Sequence, residues 1–152
     1  MTPAIRQLGR GDAGALRALN VMFGAAFEVA EDYARSAPGE AWLERLLARD
    51  SFVALVAEAE GTVVGGLVAY ELLKAEAETS EFYIYDLAVA ADWRRRGVAR
   101  ALLRAMGEIA AARGASAVFV QADPVDVPAV TLYEGFGPRE EVFHFDVWRR
   151  EA

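Results

Sequence analysis

The spacing of apolar and polar positions changes several times along this chain, and each change marks an element. Residues 4–8 alternate in the manner of a short opening strand. From Asp12, a residue suited to an N-cap, the spacing becomes helical and stays so to about Ala30, with Gly24 weakening the interior. Residues 31–37 read as irregular. Pro38 is placed to open the next helix, in which Trp42, Leu43, Leu46 and Leu47 share one apolar side. Residues 52–58 and 63–72 read as two strands joined by the turn Glu60-Gly61, an antiparallel hairpin whose second arm contains Gly65 and Gly66. Residues 74–79 are polar and read as a loop, and 81–89 as a third strand. Strict alternation there sends Phe82, Ile84 and Asp86 to one face, and Tyr83, Tyr85 and Leu87 to the other.

The strongest helical period runs over residues 97–113, where Ala99, Leu102, Leu103, Met106, Ile109 and Ala110 form one stripe ended by Gly114. Residues 117–122 read as a buried strand reached by crossing over through that helix, so it should run parallel to strand 81–89. A short helix over 128–134 follows, and residues 140–148 alternate as a closing strand. An antiparallel ribbon followed by a βαβ unit predicts an α/β fold: a mixed, mostly antiparallel central sheet with flanking helices. No linker or repeat divides the 152 residues, so a single domain over 1–152 is expected.

Composition narrows the chemistry. The chain has no cysteine and a single histidine, His144, which excludes thiol catalysis, disulfides and a cysteine or histidine zinc site; no metal is expected. The net charge of −7 argues against nucleic-acid binding, which needs a broad basic face, and favours a cationic small molecule. The opening residues Met1-Thr-Pro-Ala-Ile-Arg6 lack the apolar core of a signal peptide, and no apolar run reaches membrane-spanning length. The expectation is a cytoplasmic protein with no membrane partner.

Against this acidic background stands one cationic turn. Arg94, Arg95 and Arg96 precede Gly97 and Ala99, between a strand and the strongest helix. A helix start offers N–H donors without intrahelical acceptors, small residues allow close approach, and guanidinium groups bind phosphate oxygens in pairs. A solvated arginine cluster is the plainer alternative. Neither GxxxxGK[ST] nor GxGxxG occurs, which argues against a nucleotide hydrolase and weakens a dinucleotide reading.

Arg94-Arg-Arg-Gly97-Val-Ala99 resembles the [Gln/Arg]-x-x-Gly-x-[Gly/Ala] motif of the GCN5-related N-acetyltransferases. Asp126-Val-Pro-Ala129-Val-Thr-Leu132-Tyr133-Glu-Gly-Phe136-Gly137 resembles a later segment of that family, with Asp126 in place of the common Asn and the terminal Gly-Phe shifted. Ile84-Tyr-Asp-Leu-Ala-Val89, Phe119-Val-Gln-Ala-Asp123 and Arg139-Glu-Glu-Val-Phe-His-Phe-Asp146 are similar to the aminoglycoside 3-N-acetyltransferases of the gentamicin, or type I, group. The resemblance implies the acyl-CoA N-acyltransferase (GNAT) fold and an enzyme that moves acetyl from acetyl-CoA to the 3-amino group of an aminoglycoside 2-deoxystreptamine ring. It implies cofactor binding by residues Leu87, Ala88, Val89, Arg94 to Ala99 (including Val98), Asp126, Ala129 and Tyr133, with Tyr133 as general acid toward the departing thiolate. It also implies a homodimer, to which Phe143, Phe145 and Trp148 could contribute if they do not fill the monomer core.

The acceptor of such an enzyme is a polycation, so carboxylates should surround it. Glu81, Asp123, Asp126 and Asp146 are the candidates, with Glu28, Glu31 and Asp32 from the N-terminal part, and Tyr83, Tyr85 and His144 as further contacts. Asp123 and Glu81 are the preferred general bases, with His144 secondary. Two alternatives remain open: acetylation of a polyamine, peptide or other small amine, and a sensor that binds acetyl-CoA without catalysis. For most of these residues the plain reading is ordinary: strand core for Leu87 and Val89, a buried aromatic for Tyr133, solvated surface for each N-terminal acid.

Overall fold

The computed structural model of this protein describes residues 2–151, so Met1 of the leader reading lies outside the described residues. It comprises two units, one up to Gln121 and one from Ala122 onward. In the first, β1 (Ala4–Gln7), β2 (Phe52–Ala59), β3 (Thr62–Leu73), β4 (Ser80–Val89) and β5 (Ala117–Val120) form one sheet in that spatial order. The first four strands are antiparallel neighbours, and β5 runs parallel to β4, as the crossover requires.

Two apolar layers sandwich the sheet. On one face α1 (Ala13–Ala26) and α3 (Glu40–Leu47) pack Leu16, Leu19, Phe23, Leu43 and Leu47 against Phe52, Ala54, Val56, Val68 and Ala88. On the other, α4 (Val98–Ala112) lays Val98, Leu102, Met106 and Ala110 on Val53, Leu55, Leu67, Phe82 and Ile84. Gly66 makes the first layer possible: a Cβ there would lie 2.4 Å from Leu19 Cδ1 and 2.6 Å from the Leu55 carbonyl oxygen.

Several helix boundaries differ from the sequence expectation. The helix begun at Asp12 stops at Ala26, where Glu28 turns the chain through φ 59°. Within residues 31–37, expected to be irregular, the chain continues a second helix, α2 (Ala30–Arg35), with Glu31 and Asp32 in the first turn and Arg35, paired with Asp32, in the last. Tyr33 of this helix packs edge-on against Phe27 and covers Gly24, where a Cβ would meet it at 3.1 Å. Gly24 thus lets two helices approach. Asp12 does not cap α1 with its side chain; its carboxylate accepts from Gly9 N–H and pairs with Arg6. Glu44 of α3 takes over the capping, accepting from Gly11 N–H at 3.0 Å and Ala13 N–H at 3.1 Å. Helix α3 starts after Gly39, so Pro38 precedes it, and Trp42 lies out in solvent under Arg45 while Leu43 and Leu47 are buried.

Strand β5 was expected to be buried. It ends at Val120 and is half exposed, because it lies at the edge of the sheet.

The second unit contains α5 (Val127–Glu134), with Pro128 in its first turn and Asp126 as N-cap accepting from Ala129 N–H. The closing strand expected over 140–148 does not form among the described residues. Val142, Phe143, Phe145, Val147 and Trp148 are exposed. Alternation supplies a strand with two faces, but not the neighbour its N–H and C=O groups require.

Candidate functional site

The site begins with an irregularity in the β3–β4 ladder. Ala69 stands opposite Ile84, but Val68 stands opposite Asp86, so Tyr85 is surplus. One extra residue reverses the alternation. Before it, Phe82 and Ile84 enter the α4 layer; after it, Ala88 joins the α1 layer and Leu87 and Val89 the α4 layer. The uniform alternation expected from sequence therefore fails at this point. Asp86 is brought to the face of Tyr83 and Tyr70, and Leu87 leaves it.

Asp86 is half buried there, and burial raises its carboxyl pKa to about 6. Tyrosines surround it. The phenols of Tyr33, Tyr70 and Tyr83 are each pushed up, first by burial and then by the charges of Asp86 and Tyr85. Tyr83 donates from its hydroxyl to Gln121 Oε1 at 2.9 Å and stacks on Phe119 at 4.9 Å. Sequence reasoning gave Asp86 no functional role. The signal available was its position: one carboxylate inside an otherwise apolar strand run.

Beyond the bulge one side of the β4 backbone is not paired by β5. Strand β5 pairs only with residues 81–84 of β4, while β3 follows β4 to Val89. Ala90 N–H donates to Val64 O across the β3 ladder, so Ala88 also points its peptide groups toward β3. Those of Leu87 and Val89 point to the side that β5 does not cover. Val89 O accepts from Arg94 Nε at 3.2 Å, which folds the arginine turn back over the strand end.

The turn itself has the geometry of an anion cradle. Arg95 at φ 62° and Gly97 at φ 80° are both left-handed, and no side chain caps α4. Arg94, Arg95 and Arg96 are exposed, and Arg96 rests over the Trp93 ring. Val98 is anchored below, with its Cγ1 only 3.0 Å from where a Gly65 Cβ would lie. The glycine of β3 thus sets the height of the helix start. N–H groups at a helix start beside guanidinium groups suit a diphosphate, and the peptide groups of Leu87 and Val89, turned to the side beyond β5, suit an amide-bearing chain. These residues fit a coenzyme A thioester.

Of the other candidates, Glu81 and Tyr83 share a face of β4 with Asp86. Glu28 lies in the α1–α2 turn, and Glu31 and Asp32 in the first turn of α2, beside an open hollow of about 440 Å³. Asp123, Asp126, Ala129, Tyr133, His144 and Asp146 belong to the second unit. There Tyr133 is half buried, and its phenol is pushed up by burial and by the charge of Asp126. His144 Nε2 lies 3.0 Å from Asp146 Oδ1, with both side chains exposed, and Arg149 also pairs with Asp146. Among the described residues no group of three potential ligands is placed to hold a metal, and no helix is long and apolar enough to cross a membrane.

Residues 16–137 match the acetyltransferase (GNAT) family. An aminoglycoside acetyltransferase, HMB0005, from an uncultured soil metagenomic sample, superposes with a TM-score of 0.95 at 48% identity, over 99% of this chain and 100% of that one. A second, meta-AAC0020, from an uncultured soil metagenomic sample and crystallised with sisomicin, gives a TM-score of 0.90 at 34% identity, over 97% of this chain and 96% of that one. N-acetyltransferase 8B of Rattus norvegicus is 30% identical over 96 residues, 62% of this chain and 43% of that protein. The chain spans less than half the length of the curated relatives it matches.

Proposed function

The chain belongs to the acetyltransferase (GNAT) family, and on that premise we propose that it transfers acetyl from acetyl-CoA to an aminoglycoside, at the 3-amino group of the 2-deoxystreptamine ring. Acetyl-CoA is the acetyl donor, and it supplies an acyl carbon already activated as a thioester. The acceptor class is supported by the two solved aminoglycoside acetyltransferases of matching length, and the 3-amino position by the resemblance of Ile84 to Val89 and Arg139 to Asp146 to the type I enzymes.

The observation that carries the reading is Asp86: a half-buried carboxylate of pKa about 6, at the bulge where β4 leaves β5, on a tyrosine-lined face. A substrate ammonium must lose a proton before it can attack. A carboxylate removed from water and titrating near neutrality attracts that cation and takes the proton, directly or through a water. Asp86 suits this better than Glu81, which we assign, with Glu28 and Tyr83, to binding other amines of the acceptor.

On the donor side, Arg94 to Ala99 hold the diphosphate, while Leu87, Ala88 and Val89 align the pantetheine chain. A peptide N–H from this stretch polarises the thioester carbonyl. Asp126 and Ala129 form the start of α5 and so orient Tyr133, whose phenol stays protonated at neutral pH and returns a proton to the departing thiolate. The protein acts in the cytoplasm as a homodimer.

Release of free coenzyme A on adding gentamicin, with the product's acetylated position read by NMR, tests this function. Acetyl on the 3-amino group is the expected result. Release only with polyamines or peptides overturns the acceptor, and tight coenzyme A binding with no turnover on any amine overturns catalysis.

A further inference from the structure

Tyr85 does not behave as a strand residue should. It is the surplus residue of the bulge, and 63% of it is exposed although Ile84 before it is buried and Asp86 after it half buried. Its ring is nevertheless held. Tyr70 meets it edge-on at 5.9 Å and 84°, and Tyr83 meets it at 5.7 Å and 65°. Tyr83 is itself fixed by the Phe119 stack and the bond to Gln121, and Tyr70 by Phe52 at 5.5 Å. Five aromatic rings thus form a ladder across the sheet, from Phe52 to Phe119, with its most exposed rung beside Asp86.

An exposed ring held between neighbouring rings attracts a cation, because its quadrupole is negative over its face and little ordering cost remains. Three of the protein's own guanidinium groups lie over other rings: Arg45 over Trp42, Arg96 over Trp93 and Arg113 over Phe82. The charges sharing this face of β4 are the carboxylates of Asp86 and Glu81, of the sign that draws cations to it.

We propose that the Tyr85 ring is a seat for a second ammonium group of the acceptor, next to the amine held at Asp86, and that it selects polycationic acceptors over monoamines. The proposal rests on the acceptor reading above. It requires two amino groups on one rigid scaffold, as aminoglycosides carry. The phenolic hydroxyl is not needed, only the ring.

The test is the specificity ratio, the KM for a monoamine sugar (glucosamine) divided by the KM for gentamicin. Wild type, Tyr85→Phe and Tyr85→Leu are compared. The ratio should stay within about twofold in Tyr85→Phe and fall roughly 3- to 30-fold in Tyr85→Leu, the range of a cation–π contact. The dissociation constant for coenzyme A serves as a folding control, and Tyr85→Met is the substitute if the leucine variant fails it. An unchanged ratio in Tyr85→Leu overturns the proposal, as does a Tyr85→Phe variant as impaired as Tyr85→Leu. If the wild type acetylates glucosamine but not gentamicin, the acceptor reading fails on its own. Calorimetric binding of gentamicin to the coenzyme A complex then decides: loss in Tyr85→Leu but not Tyr85→Phe supports the seat, and no binding to wild type overturns it.

Discussion

Asp86 faces Val68 across the β3–β4 ladder, one residue out of step with the pairing of Ile84 and Ala69. That offset moves a carboxylate from the α4 layer, where it would meet Leu102 and Met106, to a face it shares with three tyrosine phenols. Asp86→Asn keeps the size and removes the base. Turnover should fall about 10²- to 10⁴-fold, with affinity for coenzyme A retained. In the wild type, kcat/KM should rise with pH through a limb near pH 6, and the variant should lack it. Steady-state rates from pH 5 to 8 check both.

The same group makes the fold's stability depend on pH. Its folded pKa of about 6 lies above the ordinary 3.8, so between those values the folded protein holds a proton that the unfolded chain has released. Stability from this group therefore falls as pH rises through that window and stays reduced above it. Asp86→Asn should be more stable than wild type at pH 7.5, by about 1–2 kcal/mol after allowing for partial solvent contact. The gain should vanish below pH 4. Urea unfolding at pH 7.5 and below pH 4 gives the comparison, and equal midpoints at pH 7.5 would count against a raised carboxyl.

Tyr133→Phe tests the general acid. The substitution keeps the ring in α5 and removes the hydroxyl proton. Turnover at saturating substrates should drop about 10- to 100-fold, near the lower range for such catalysis, while coenzyme A binding is largely kept. Turnover equal to wild type rejects the acid role.

Gly66→Ala should destabilise by about 1–3 kcal/mol, because the added methyl meets both Leu19 and the Leu55 carbonyl oxygen. Gly65→Ala should cost less in stability and weaken coenzyme A binding instead, since its nearest contact is Val98 at the start of α4, followed by the Ala88 carbonyl oxygen at 3.3 Å. Denaturation midpoints and coenzyme A titrations on the two variants separate these effects.

The sequence carried the order of elements because most of them bury one face, and burial leaves a period. The α4 stripe and the β2–β3 hairpin are plain examples. Helix α2 had no such period: only Tyr33 packs, and its other residues are solvent-facing and polar or small. The turn at Arg94 to Ala99 was legible because its chemistry is local, a run of arginines ending in a left-handed glycine. Asp86 was not, because its surroundings depend on a bulge in the β3–β4 register, which the alternation of one strand does not reveal. Strict alternation placed it on the wrong face. Residues 140–148 show the opposite failure, since their alternation is clear but no strand forms.

Glu44 closes the start of α1 from another helix, so the half-buried bond it accepts from Ala13 N–H lasts only while α3 is docked. Loosening either helix would strip the other of a polar contact as well as apolar ones. The pair should therefore exchange its amide hydrogens as a single cooperative block.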